Sequence, residues 1–341
     1  MTEWIECTLD KLGEIVGGAT PSTKCEDYYG GSIPWITPKD LSSFKGRYIT
    51  SGERNITEKG LASCSAQMMP KDAVLFTSRA PIGYVAIASQ SVCTNQGFKS
   101  IVVNEKADPL FVYYLLKYNK DAIEAMGSGT TFKEVSGKTM RAVKVRIPLD
   151  VSYQNRIAAV LDSLDTKIEN NERINDNLHQ QAATLFKALF VDLTPFDGTM
   201  PPNWTISTLG DATEMGAGGD KPKESSPVKT PLCPYPIYSN GINDYGLYGY
   251  TNDPKIKVES VTVSARGTIG YVCLRHTPYV PIVRLVTLIP DTKVLSAKYL
   301  YLYLRQLHIT GTGTTQQQLT VPDFRKTEII IPDKNTMDSF T

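Results

Sequence analysis

Two stretches of the chain carry glycines, hydroxyls and amides in the same order, and such loops hug an anionic backbone. "GSGTTFKEVSGKTMRAVKVRIP" runs from Gly127 to Pro148, and "GTGTTQQQLTVPDFRKTEIIIP" runs from Gly311 to Pro332, 184 residues later. Gly129 and Gly313 permit close backbone approach. Thr130, Thr131, Thr314 and Thr315 offer hydroxyl and amide hydrogens, and Lys133 in the first copy answers to Gln316, Gln317 and Gln318 in the second. Hydroxyls and amide donors position a protein on phosphate, whereas paired donors and acceptors read base edges. The same loop also reads as an ordinary helix C-cap. Arg79 in "SRAPIGYV" and Arg266 in "ARGTIGYV" hold matching places, so a shared task suits them, either phosphate binding or bracing of the loop. Arg141 adds a cation within the first stretch. "TNQGFKS" groups Asn95, Gln96 and Lys99, and "IYSNGIND" groups Tyr238, Ser239, Asn240 and Asn243. Their amides can read adenine, and they also make turns.

Catalytic chemistry is harder to find. An adenine methyltransferase needs a glycine-rich cofactor loop and an Asn/Asp-Pro-Pro-aromatic tetrad, but the one Pro-Pro, Pro201-Pro202, has Met200 before it and Asn203 after. There is no G-x-x-x-x-G-K-[ST] phosphate loop. "VPDFRKTEII" opens like a nuclease Pro-Asp motif and lacks the lysine two places after the acid. His179, His276 and His308 are too dispersed for a Ser/His/Asp set. Six cysteines without a C-x-x-C, beside three histidines, give no zinc spacing and read as free thiols of a reducing compartment. The expectation is a chain with no catalytic residue, metal or cofactor of its own. No apolar run approaches the ~20 residues of a membrane span. The opening "MTEWIECTLDKLGEIVGG" lacks a signal-peptide layout, so the expected location is cytoplasmic, away from membranes. Net charge is +1, divided as +2, −2 and +1 over 1–150, 151–192 and 193–341; a nucleic-acid binder of this balance must gather its cations on one face.

The elements that position these residues also come in pairs. "WIECTL" from Trp4 recurs as "WTISTL" from Trp204, and "YYLLK" from Tyr113 recurs as "YLYLR" from Tyr301, so four anchors fall in one order. A repeat of this kind fixes architecture first. Within each copy, β-rich runs such as "DAVLFT", "GYVAIA", "ESVTVSA" and "GYVCL" predict strands joined by turns. "DPLFVYYLLKYNKDAIEAMG" and "SAKYLYLYLRQLHITG" predict helices ending at a glycine cap. "AVKVRIP" and "TEIIIP" predict closing strands that a proline ends. Between the copies, Val151 to Asp192 contains neither Gly nor Pro. Ile157, Leu161, Leu164, Ile168, Asn171, Asn175, Leu178, Ala182, Leu185 and Leu189 alternate spacings of four and three, which predicts a coiled-coil helix ~60 Å long, stopped by Pro195. Asn171 and Asn175 place polar layers in mid-seam, which fix register at a cost in stability.

This order of domain, helix and domain, with the Gly127–Pro148 tract as its most specific local match, resembles the specificity subunit of a Type I restriction–modification enzyme. The resemblance runs from Trp4 to about Asp333 and implies an α+β chain with two homologous target-recognition domains separated by a long coiled-coil helix. The expected boundaries are 1–150, 151–192 and 193–334, with 335–341 the start of a distal helix cut short. The family's pattern implies that each domain reads one half of a bipartite, asymmetric site in double-stranded DNA. It implies that the helix spaces the domains and docks two methyltransferase subunits, which bind S-adenosylmethionine and methylate adenine N6, and that restriction–translocase subunits using ATP and magnesium join them. The DNA-contacting set it suggests is Arg79, Asn95, Gln96, Lys99, Thr130, Thr131, Lys133, Arg141, Tyr238, Asn240, Arg266, Thr314, Thr315, Gln316 and Gln317. Self-association through the unpaired seam is a further expectation. The residues leave one rival reading, a coiled-coil interaction protein with two paralogous heads that bind no particular DNA.

Overall fold

A computed structural model describes residues 3–79, 81–129, 133–311 and 317–340. Thr130, Thr131, Thr314, Thr315 and Gln316 lie outside the described residues. The chain divides into two compact units, Met1–Glu172 and Arg173–Thr341.

The two ends of each repeat pair with one another. Trp4–Thr8 runs antiparallel to Lys144–Pro148, and Thr205–Thr208 runs antiparallel to Glu328–Ile331. In the first unit a sheet takes the order Gly13–Gly17, Lys99–Val103, Val74–Phe76, Val85–Ala88 and Tyr48–Ile49. The second unit repeats its first four strands as Thr213–Ala217, Val286–Pro290, Ser260–Val263 and Val272–Arg275. The β-branched runs thus form strands because both faces are covered, as the fully buried Val74, Leu75, Phe76, Val261 and Val263 indicate. The turn before the fourth strand explains why Ile-Gly-Tyr-Val recurs. Gly83 and Gly270 have φ of 95° and 82°, a region open to glycine and strained for other residues, and their amides donate to the Thr77 and Ser264 carbonyls at 2.9 and 3.0 Å.

A helix backs each of these sheets; with one break the first reaches the residue before its glycine, and the second stops short. In the first unit Pro109–Tyr118 is capped by Asp108, whose carboxylate accepts from the Phe111 amide, and it breaks at Asn119 before Lys120–Ala125. In the second, Ala297–Gln306 is capped by Ser296 and stops when Leu307 turns extended. Asn119 folds its side-chain amide back onto the Leu115 carbonyl at the break, and past Lys120–Ala125 the Gly127 amide donates to the Glu124 carbonyl at 3.0 Å; in the second unit Leu307 instead leaves the helix early to pack against the second core.

The long helix spans Val151–Phe186, 36 residues or ~54 Å, and loosens into a π turn at Lys187–Val191 before Leu193 reverses the chain at φ 52°. Its buried positions flank the apolar seam. At its start Gln154 is fully buried, donating to the Pro148 and Lys106 carbonyls and accepting from the Asp108 amide, while Ala158 enters the first core. The next two turns dock through charge. Arg47, with a side chain 10% exposed, reaches Asp162 at 2.8 Å, Glu169 at 3.1 Å and the Thr166 hydroxyl at 2.8 Å. At the other end Phe186 and Phe190 are fully buried beside Tyr299, at ring separations of 5.1 and 5.0 Å. The seam itself faces outward: Leu161, Leu164, Ile168, Leu178 and Leu185 are 37 to 59% exposed, Asn171 and Asn175 are exposed, and only Ile157 and Leu189 touch a core.

The recurring tryptophans differ in the same spirit. Trp204 is buried against Phe190 and Phe196 with its indole donating to Asp333, whereas Trp4 is 42% exposed under Arg146. Past Pro332, Lys334–Phe340 is helical, and Met337 enters the second core. Among the described residues no helix is long and apolar enough to cross a membrane. The cysteines are free, with Cys93 and Cys273 buried; burial pushes the Cys93 thiol up to about 12 and raises that of Cys273. The thiolate is the nucleophile, so these two stay protonated through neutral and mildly alkaline pH. Mass spectrometry after iodoacetamide treatment is expected to find both unmodified in the folded protein and both modified in urea.

Candidate nucleic-acid interface

In the first unit three separate segments meet, and they bring together most of the residues singled out there. The Ser78 amide donates to the Gly97 carbonyl at 2.7 Å, and the Val135 amide donates to the Ser78 carbonyl at 2.9 Å. Ser128 and Glu134 exchange both backbone hydrogen bonds, at 3.0 and 2.9 Å, which closes the glycine–threonine loop at its base. Side chains repeat the closure: the Glu134 carboxylate lies 3.8 Å from Arg79 and 3.7 Å from Lys99. Lys133 is exposed beside it. Asn95 accepts from the Gly97 amide at 2.8 Å, so its oxygen braces its own turn, and Gln96 accepts from the Thr20 hydroxyl. A Cβ on Gly18 would stand 2.1 Å from the Asn95 carbonyl oxygen, so glycine is required where this loop crosses. Arg141 is exposed on Gly137–Ala142, a short helix capped by Ser136.

The second unit rebuilds the arrangement with different side chains. The Leu319 amide donates to the Ala265 carbonyl at 3.0 Å, the counterpart of Val135 on Ser78. Arg266 donates through Nε and Nη2 to Gln318 Oε1 at 3.1 and 2.9 Å. Gln318 stands 184 residues after Glu134, the spacing of the two stretches, so one guanidinium-to-loop contact exists twice, with a carboxylate in one unit and an amide in the other. Gln317 is exposed next to it. Asn240 is a brace: its amide donates to the Val283 carbonyl and its oxygen accepts from the Ala265 amide. The Tyr238 ring lies under the Arg275 guanidinium, 3.6 Å from its centroid.

Sequence reasoning missed Glu134, Thr20 and Arg275. Only Glu134 left a signal, since it occupies the Gln318 place of the repeat. Arg275 ends a strand, where an arginine reads as exposed, yet it is 6% exposed and donates to Thr262 and to the Tyr245 carbonyl. Electrostatically the units differ. Glu134 offsets two cations in the first, whereas Arg266 faces a neutral amide. Glu134→Gln is therefore expected to tighten duplex binding by about 2- to 10-fold at low salt and to steepen its salt dependence, because more cation is left to displace counterions; fluorescence anisotropy across a salt series measures both.

Comparison with known proteins gives this geometry a context. The family model of the Type I restriction modification DNA specificity domain matches residues 1–180 and again 201–337. The MjaIX specificity subunit of Methanocaldococcus jannaschii is 32% identical over 373 residues, covering 99% of this chain and 85% of that one. The EcoR124I/EcoR124II specificity subunit of Escherichia coli is 29% identical over 167 residues, 47% of this chain and 40% of that one. The crystal structure of a Type I restriction–modification S subunit from M. genitalium superposes with a TM-score of 0.62 at 16% identity, covering 96% of this chain and 84% of that one, a likeness of fold. With two matched domains carrying the same arginine-to-loop contact, the chain belongs to the family of Type I restriction–modification DNA specificity subunits.

Proposed function

We propose that the chain is the DNA reader of a Type I restriction–modification enzyme, and that each unit reads one half of a bipartite, asymmetric site in double-stranded DNA. The helix then spaces the units and docks two methyltransferase subunits, which methylate adenine N6 with S-adenosylmethionine, and restriction–translocase subunits using ATP and magnesium complete the enzyme. The chain itself performs no catalysis. The observation that carries this reading is the paired contact of Arg79 with Glu134 and Arg266 with Gln318. A shared scaffold with a changed edge is what two readers of different half-sites require. Half-sites about one duplex turn apart, ~34 Å, present one face of DNA, and the 36-residue helix is of the scale needed to span them. The test is co-expression with a methyltransferase subunit of the same system and single-molecule methylome sequencing. A split N6-methyladenine motif lost on deleting this chain is expected; methylation that persists unchanged contradicts the reading.

The exposed seam supports a second helix packing on Leu161, Leu164, Ile168, Leu178 and Leu185. In the absence of partner subunits the chain is expected to self-associate there. Ile168→Glu with Leu178→Glu is expected to abolish association in sedimentation velocity without loss of helical circular dichroism. A wild-type chain that sediments as a monomer contradicts this use of the seam.

A further inference from the structure

The geometry points to Arg284 as the base-reading residue of the second unit, taking the O6 and N7 edge of a guanine; the assignment rests on the DNA-reading function proposed above. Arg284 stands where the first unit has Gly97. Lys99 and Val286 open equivalent strands, opposite Gly17 and Ala217, and Gly97 and Arg284 lie two residues before each. The backbone agrees, since the Asn95 amide donates to the Ile36 carbonyl and the Ile282 amide donates to the Tyr238 carbonyl, at 3.0 and 2.9 Å. The "TNQGFK" loop that gathers Asn95, Gln96 and Lys99 thus has a counterpart in the second unit, and its tip is an arginine.

That tip is held in a costly conformation. Val283 and Arg284 have φ of 54° and 63°, and a β-branched residue in this region is a genuine outlier. Strain of this sort persists only where surrounding contacts over-determine it, and such sites gather at ligand contacts. Here four contacts do so. The Val283 and Arg284 amides donate to the Gly219 and Gly218 carbonyls at 2.9 and 3.0 Å, the Leu285 amide donates to Ile282 at 3.0 Å, and Asn240 holds the Val283 carbonyl. A Cβ on Gly218 would come within 2.8 Å of the Ile282 backbone, so the strap over the loop cannot be substituted cheaply. The rigid turn leaves both side chains exposed, and among the described residues the Arg284 guanidinium has no hydrogen-bond or ion-pair partner. A planar fork of donors on a fixed backbone fits the guanine edge, where arginine makes the commonest specific contact.

The comparison between units separates base reading from phosphate binding. Arg79 and Arg266 occur in both and suit what both need. Arg284 occurs in one, at a place where the other has no side chain, which suits discrimination between half-sites.

The test uses the chain co-expressed with its methyltransferase partner. Arg284→Gly is the informative variant, because glycine adopts a positive φ without strain, so the turn is expected to be preserved. Methylome sequencing is expected to show one guanine position in one half-site becoming degenerate, with discrimination there reduced about 10- to 100-fold and the other half-site unchanged. Arg284→Lys keeps the charge without the fork and is expected to retain the salt slope of duplex binding while losing the same discrimination. An unchanged motif overturns the assignment. So does uniform weakening on all sequences with the slope reduced by about 0.9, the mark of a lost phosphate contact. A wild-type complex that yields no split motif overturns the proposed function, and the assignment with it.

Discussion

Replacing Phe190 with alanine is expected to destabilise the second unit by about 3–5 kcal/mol and to leave the first unit's unfolding unchanged. Phe190 is fully buried and lies 5.0 Å from the Tyr299 ring, 5.6 Å from Trp204 and 5.1 Å from Phe340, so truncation opens a cavity among rings that cannot all close over it. The energy lost is not generic to the helix. It belongs to the turn at which Val151–Phe186 becomes the Lys187–Val191 segment, because that turn aims Phe186 and Phe190 together into one core. Urea unfolding followed by fluorescence separates the units, since Trp204 reports on the second and Trp4 and Trp35 on the first. Phe190→Leu is expected to lose markedly less. Equal losses in both transitions would show that the aromatic cluster does not anchor the helix to the second unit alone.

Arg47→Ala is expected to have the next largest effect, about 2 kcal/mol, on the docking of the helix to the first unit. The guanidinium is nearly covered, but Asp162 and Glu169 remain 34 and 40% exposed, so water takes up part of what they lose and the figure falls below that of a fully buried pair. Two carboxylates left facing each other across an empty place would repel. Tyr114, held beside Asp165 at 3.1 Å, and Gln154 would still fix the start of the helix. Limited proteolysis is expected to cut the Arg47→Ala variant within Asp162–Glu172 and to spare the wild type. Resistance equal to wild type would mean that apolar contacts alone dock the helix.

The duplicated strands were legible in the sequence because each of "DAVLFT" and "ESVTVSA" carries its own β-rich signal, and the offsets located their partners. The helix was legible because Val151 to Asp192 lacks every residue that would break it. Which face of it packs on the units was not. Periodicity singles out the strongest apolar stripe, and that stripe is exposed, whereas docking falls to Gln154, Ala158, Asp162 and Glu169 at one end and to Phe186 and Phe190 at the other. A polar docking face has no hydrophobic period to betray it. The candidate interface was partly legible for a similar reason. Arg79 and Arg266 repeat and so stood out. Arg284 repeats nothing, and its place emerges only when the strands beside it are superposed. Asn240 looked like a reader because amides read bases, yet both ends of its amide bind backbone.

The most direct test of a two-unit reader is to exchange the Thr205–Ile331 part of the second unit for the corresponding segment of a relative with a different motif and to sequence the methylome. The account predicts that one half of the split motif changes to the donor's while the other half stays as it was. A motif that changes in both halves, or in neither, would contradict it.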